Sequence, residues 1–246
     1  LFARTAIVFD GDVTLAAGRS VRLATAGFYN AKDGGRAAVS APYVHLDGHF
    51  DYRPLQFGDA VPDILPAWPT TGELAVSAGL IDVGNRLNAH VARLALDSAG
   101  DLRFLAVSHK PVTGRGDAGR RTVLAARGDI ALIAQRIYPA SNAMARVQAG
   151  TWIDNDGVAM TGWPAPDTST LTIGNHGQAA VAVPQSVFGQ LQLRAGTIRQ
   201  GGNLFAPLGE LDLKAAVAVT PDARGLVEFL PGGITSRRMH IWRLAR

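Results

Sequence analysis

The segment Gly189–Ala215, GQLQLRAGTIRQGGNLFAPLGELDLKA, decides the predicted fold. Its two ends, Leu191–Ala195 and Leu211–Ala215, place an aliphatic residue at every second position and a polar residue between. This period of two is typical of a strand that buries one face. Glycines and a proline lie between the ends, where glycine reaches positive φ at low cost and proline fixes φ. The segment therefore predicts short strands joined by corners, without a helix.

The same phrase recurs along the chain as a glycine, a polar residue, alternating aliphatic residues and an alanine. Its copies begin at Gly11, Gly72, Gly100, Gly128, Gly189 and Gly209. Successive copies start 61, 28, 28, 61 and 20 residues apart. A repeat of roughly 20 to 30 residues with occasional skipped or padded turns indicates a solenoid, in which copies that each bury one face stack to form a core. Matched hairpin turns are rare, so we predict an all-β parallel β-helix (β-solenoid) rather than a sandwich.

Two stretches break the alternation. Residues 49–70 carry four prolines and four aromatic residues, and residues 138–170 contain Trp152 and Trp163. We predict both as irregular loop insertions within a β-helix segment that spans residues 1–236. Residues 237–246 are rich in arginine and lack alternation, which predicts a basic irregular tail.

Composition excludes several classes of function. The net charge is +4, but the 21 arginines are spread along the chain, so we expect no nucleic-acid binding. The absence of cysteine excludes thiol nucleophiles, zinc–cysteine sites and disulfides. Polar or charged residues interrupt every apolar run, which excludes a predicted membrane-spanning helix. No cofactor is predicted.

The run GTIRQGGNLFAPLGELDL (196–213) resembles the filamentous haemagglutinin family, the large exoproteins of bacterial two-partner secretion. The phrases GDVTLAAGRSVRL, GELAVSAGLIDVGN and GDIALIAQRIYPAS resemble it as well, in the same order. The resemblance implies a single-stranded, right-handed β-helix that is secreted or held at the bacterial cell surface in association with the outer membrane. It implies adhesion to a host-cell or bacterial surface receptor or glycan, and export through an outer-membrane pore by a domain outside this piece.

We therefore predict a non-catalytic, structural and adhesive segment of a longer exoprotein. An open end of a β-helix exposes unpaired strand edges, so we also expect end-to-end self-association.

One tripeptide suggests a receptor contact. Arg115, Gly116 and Asp117 lie in the glycine-rich segment TGRGDAGRR, where an exposed arginine and aspartate could bridge to an integrin-type receptor. A random chain of this composition contains such a triplet roughly one time in six, so a solvated loop is the alternative.

Two groups of residues contain the side chains of metal ligands, but neither predicts a metal site. His45 and His49 are four positions apart with acidic residues nearby, but a strand followed by a loop does not bring them together. Asp154 and Asp156 resemble the start of a calcium loop, but the later acidic ligand is missing.

The alternative function is a carbohydrate-active β-helix enzyme that acts on a polysaccharide. Such a hydrolase needs paired carboxylates, and the chain has only three glutamates, Glu73, Glu210 and Glu228. Five of the seventeen aspartates directly follow a glycine, where they are expected to satisfy turn amides. An enzyme is expected to line acidic and basic side chains along neighbouring strands, whereas a scaffold is expected to scatter them.

Overall fold

The fold is taken from a computed structural model of the chain. It describes residues 1–3, 6–48, 71–107, 121–150, 168–177, 181–221, 226–228 and 239–243, with the backbone alone from residue 221 onward. Sixteen strands occupy these ranges: β1 Ile7–Phe9, β2 Val13–Ala16, β3 Ser20–Thr25, β4 Gly27–Asn30, β5 Arg36–Gly48, β6 Glu73–His90, β7 Arg93–Phe104, β8 Arg121–Ala126, β9 Asp129–Pro139, β10 Met144–Ala149, β11 Thr170–Gly174, β12 Gln190–Gln200, β13 Asn203–Phe205, β14 Glu210–Pro221, β15 Leu226–Glu228 and β16 Met239–Arg243.

All strand pairs in the described ranges are parallel, and the predicted all-β class is confirmed. The predicted single-stranded, right-handed β-solenoid is wrong. Hydrogen-bonded pairing closes into a seven-strand parallel β-barrel in the order β6, β7, β9, β11, β12, β10, β8 and back to β6. The other strands pair outside this ring.

Two long strands close the ring because each changes neighbour along its length. In β6, residues 73–83 pair with β7, whereas residues 86–89 pair with β8. In β12, residues 190–194 pair with β10, whereas residues 197–200 pair with β11. The alternation in the sequence indicates which face a strand buries, but it does not indicate which strands it pairs with.

The core consists of aliphatic side chains in matching register. Leu74 pairs with Leu94, Leu94 with Ile130, and Ile130 with Leu171. On the other side of the ring, Leu124, Val147 and Leu193 pair in the same way. All of these side chains are essentially inaccessible to water, so the period-two pattern specifies one continuous core.

Strands also occur where irregular structure was predicted. Strand β10 lies within the predicted insertion 138–170 and supplies Ala145 and Val147 to the core. Strand β16 lies within the predicted tail and pairs with β14. The predicted insertion 49–70 lies outside the described residues. No helix in the described ranges has the length and apolar character needed to cross a membrane.

Candidate functional site: a polar ladder across neighbouring strands

The outward face of β3, β5, β6, β7 and β9 carries a continuous row of polar and aromatic side chains. The register pairs Arg22 with His45, His45 with Asp82, Asp82 with Arg103 and Arg103 with Tyr138. Two positions away on the same face lie Tyr43, Asp47, Asp101 and Arg136, since side chains alternate along a strand. We call these nine residues the polar ladder.

Asp82 is the most enclosed carboxylate of the ladder. Arg103 donates from Nε to Asp82 Oδ1 at 2.7 Å and from Nη2 to Oδ2 at 2.8 Å. The Tyr43 hydroxyl donates to the same Oδ2 at 2.9 Å. The paired hydrogen bonds from one guanidinium fix the plane of the carboxylate. They also raise the pKa of Arg103, which therefore remains charged.

Asp101 repeats this arrangement one strand further on. Arg136 donates from Nε to Asp101 Oδ1 at 2.6 Å and from Nη2 to Oδ2 at 2.8 Å. The Tyr138 hydroxyl donates to Oδ2 at 2.8 Å. Nη1 of Arg136 also donates to the carbonyl of Ala182 at 3.3 Å. The ladder therefore contains two aspartates that are each held by one arginine and one tyrosine.

The third carboxylate, Asp47, is held at the other end of the ladder. It forms an ion pair with Arg22, and Asn85 donates to its Oδ1 at 2.6 Å. Burial raises the pKa of Asp47, but the hydrogen bonds from Arg22 and Asn85 outweigh burial and lower it overall. Burial lowers the pKa of His45, whose Nε2 atom is buried and has no hydrogen-bond partner in the part of the chain that the structure describes. His45 is therefore neutral at pH 7.

The ladder is better suited to binding than to proton transfer. Burial, with hydrogen bonds to Asp82 and Asp101 respectively, raises the pKa values of Tyr43 and Tyr138 to about 12. A general acid or base works best with a pKa near the working pH, so both tyrosines are displaced from that range. What the ladder offers is a row of aromatic rings and fixed guanidinium planes, which suit stacking and directional hydrogen bonds.

A second polar group contains the residue types of a nucleophilic triad without its geometry. His176 Nε2 lies 3.0 Å from Asp97 Oδ1 and 3.0 Å from the carbonyl oxygen of Ser98. The Ser98 hydroxyl donates to the carbonyls of Gly79 and Asp101 at 3.1 and 2.7 Å. The histidine therefore contacts the backbone of Ser98 and not its hydroxyl, and the serine is not activated for attack.

The structure describes only some of the residues that the sequence suggested as candidate sites. Arg115, Gly116 and Asp117 lie outside the described residues, as do His49, Asp154 and Asp156. His45 lies on β5 beside Asp47, whose carboxylate is engaged by Arg22 and Asn85. In the described ranges, no three histidine, aspartate or glutamate side chains are grouped to hold a metal ion.

Sequence reasoning missed the polar ladder. Its signal was the recurrence of tyrosine, aspartate and arginine at outward positions of the predicted strands, such as Tyr43, Asp82 and Arg103. These residues are 39 and 21 positions apart, so they align only when the register is known. The ladder also lines acidic and basic side chains across neighbouring strands, where a scaffold was expected to scatter them.

Comparison with known proteins found no matching family, and no curated protein or solved structure with significant similarity to the chain. The resemblance to filamentous haemagglutinins stays a prediction from the sequence.

Proposed function

We propose that this chain is a non-catalytic, structural and adhesive segment of a large secreted or surface-exposed bacterial exoprotein. The observation that supports this function is the pairing of every aspartate in the polar ladder with an arginine. A carboxyl group that serves as a general acid or base must be able to exchange protons with a substrate. Asp47, Asp82 and Asp101 instead hold arginines in place, and the resulting surface binds through aromatic and guanidinium groups.

Attachment of the purified chain to cultured epithelial cells tests the adhesive role. Beads coated with the chain should attach, and beads coated with its heat-denatured form should not. Failure of the native chain to attach to these or to bacterial cells would overturn the adhesive proposal.

The same assay tests the predicted receptor loop. Asp117→Glu should abolish attachment if the Arg115 to Asp117 segment contacts an integrin-type receptor, because the added methylene moves the carboxylate. Asp10→Glu is the matched control, since the Asp10 side chain is 78% exposed and lies between β1 and β2. Attachment that is equal in both variants would remove the tripeptide from the proposal while leaving adhesion in place.

The second candidate is a carbohydrate-active enzyme, which the alignment of acidic and basic side chains in the ladder favours. Incubation with polygalacturonate and measurement of new reducing ends tests it. Turnover that disappears in Tyr138→Phe, with an unchanged circular dichroism spectrum, would support the enzyme. We expect no turnover, because the ladder carboxylates are already bound to arginines.

A further inference from the structure

Four arginines gather on one face of the sheet formed by β6, β8, β10 and β12. Register places Arg86 and Arg146 on either side of Val123. Arg121 lies two positions before Val123 on β8, and Arg194 pairs with Gln148, two positions after Arg146. Because alternate residues of a strand share a face, the four guanidinium groups are directed to the same side. We call Arg86, Arg121, Arg146 and Arg194 the Arg146 cluster.

Arg146 lies at the centre of this cluster and has a neutral hydrogen-bond partner. Its Nε and Nη2 atoms donate to Oε1 of Gln192 at 3.1 and 3.0 Å. No carboxylate of the described residues forms an ion pair with it. Burial lowers the pKa of Arg146 to about 10, with further lowering by Arg121, Arg194 and Arg86 and an opposing effect from Asp212.

The carboxylate that acts electrostatically on Arg146 is bound to another member of the cluster. Asp212 follows Gln192 in the same row, and its Oδ2 atom accepts a hydrogen bond from Nη2 of Arg194. Arg194 also donates to the backbone carbonyls of Leu193 and Asp212, both at 3.0 Å. Asp212 therefore pairs with Arg194, and no carboxylate of the described residues forms an ion pair with Arg146.

A half-buried cation that is bound to an amide and surrounded by like charges is costly, since burial penalises charge and the neighbours repel it. An anion at this position would supply the missing charge. We propose that the Arg146 cluster binds an oxyanion group, a carboxylate, sulfate or phosphate, either free or carried by a larger molecule. The planar guanidinium fork matches the oxygen spacing of these groups, which a lysine ammonium does not.

This site is distinct from the polar ladder and does not rest on the proposed adhesive function. Arg146 remains partly exposed, and the Arg194 side chain is 19% exposed, so an anion can approach from solvent.

Isothermal titration calorimetry with sodium sulfate and with sodium phosphate tests the site, with sodium chloride at equal ionic strength as the reference. Wild type should bind one sulfate or phosphate, and Arg146→Gln should weaken binding at least about tenfold, because one charge-assisted contact is lost. Arg199→Gln is the control, since Arg199 is an exposed arginine on the same strand as Arg194 and should leave affinity unchanged. Equal heats for sulfate and chloride, or equal affinity in wild type and Arg146→Gln, would overturn the proposal.

Arg146→Lys keeps the charge and removes the fork, so it remains informative if Arg146→Gln fails to fold. It should bind sulfate with an affinity between those of wild type and Arg146→Gln, and wild-type affinity would contradict recognition by the fork.

Trigalacturonate distinguishes the two sources of the anion. If trigalacturonate binds more tightly than sulfate, the ligand of the cluster is a carboxylated sugar. If trigalacturonate binds more weakly than sulfate, the ligand is a free ion. Binding of none of the three probes would overturn the site.

Discussion

Asp82 shows how a single residue organises the outward face. It accepts two hydrogen bonds from Arg103 and one from Tyr43, and its side chain is only 4% exposed. Asp82→Asn removes the charge and leaves Arg103 without its counter-ion. We expect a loss of about 2–3 kcal/mol in the free energy of unfolding, measured by urea denaturation.

Asp10→Asn is the control for this change, because the Asp10–Lys32 pair is 3.7 Å apart and exposed. Its effect should stay within about 0.5 kcal/mol. Equal losses in both variants would show that the enclosure of Asp82 by Arg103 and Tyr43 carries no stability.

His90 predicts a dependence of stability on pH. Its ring stacks on Tyr29 with centroids 4.1 Å apart. Burial, with a smaller effect of Arg127, lowers its pKa from 6.5 to about 4. The unfolded chain therefore takes up a proton between these values while the folded chain does not, so stability is complete above pH 6.5 and falls toward pH 4.

The loss from His90 should reach up to about 3 kcal/mol. His90→Phe keeps an aromatic ring and removes the titration, so urea denaturation near pH 7 and near pH 4.5 should give a smaller difference in the variant. Burial also lowers the pKa of His45, so His90→Phe should retain part of the dependence of stability on pH. An equal difference in the free energy of unfolding between the two pH values in wild type and His90→Phe would contradict the assignment of this pH dependence to His90.

Among single residues, the sequence predicted the buried ones best. Leu191 and Leu193 were expected to face inward, and both are fully buried. The outward residues were harder, because Asp82 and Arg103 are ordinary polar positions until register joins them. The Arg146 cluster is another example, since its arginines are spread over four strands and look scattered in the sequence.

At the scale of elements, at least one of the glycines that begin the repeats is required because a side chain there would clash with the neighbouring backbone. A Cβ on Gly209 would lie 1.9 Å from the carbonyl oxygen of Gly189, so the backbones could not stay at this distance. Gly209→Ala should cost about 3 kcal/mol in the free energy of unfolding.

Gly18→Ala is the matched control, because a Cβ there meets no atom within 4 Å. It should be neutral or stabilise by less than about 1 kcal/mol, since alanine restricts the unfolded chain. Urea denaturation of both variants measures the difference, and a Gly209→Ala protein as stable as Gly18→Ala would refute the steric explanation.

Most element positions followed from the period of two. Strand β2, Val13–Ala16, lies in the copy of the repeat that begins at Gly11 and follows its alternation. What the sequence could not provide was partner choice: within the ring β6 and β12 each pair with two neighbours, and both also pair with strands outside it. A register shift lies between Ala78 and Ile81 where β6 pairs with β7, and between Ala195 and Thr197 where β12 pairs with β14. The phase of the alternation inverts across each shift, since Ala78 and then Ile81 are buried in β6, and Ala195 and then Ile198 in β12. The alternation therefore marks the irregularity, but it does not identify the partner strands that close the ring.

At the scale of the whole molecule, the closed ring predicts unequal protection from solvent. Strands β8 and β10 have a partner on each side within the ring, whereas β14 and β16 are added outside it. In hydrogen exchange measured by mass spectrometry, amides of β8 and β10 should exchange only through global unfolding, and those of β16 by local opening. Faster exchange in β8 than in β16 would contradict the ring.

Strands that pair with each other in this protein are separated by very different lengths of chain. Leu74 pairs with Leu94 after twenty positions, whereas Ala145 pairs with Leu191 after forty-six, yet both pairs lie in the same continuous core. The entropy of closing a connection grows only with the logarithm of its length, by about 0.6 kcal/mol for each doubling. Connections in this protein can therefore be lengthened or exchanged at little cost in the free energy of folding. New recognition segments could be inserted into these connections, and variants with altered binding selected, while the sheet is kept.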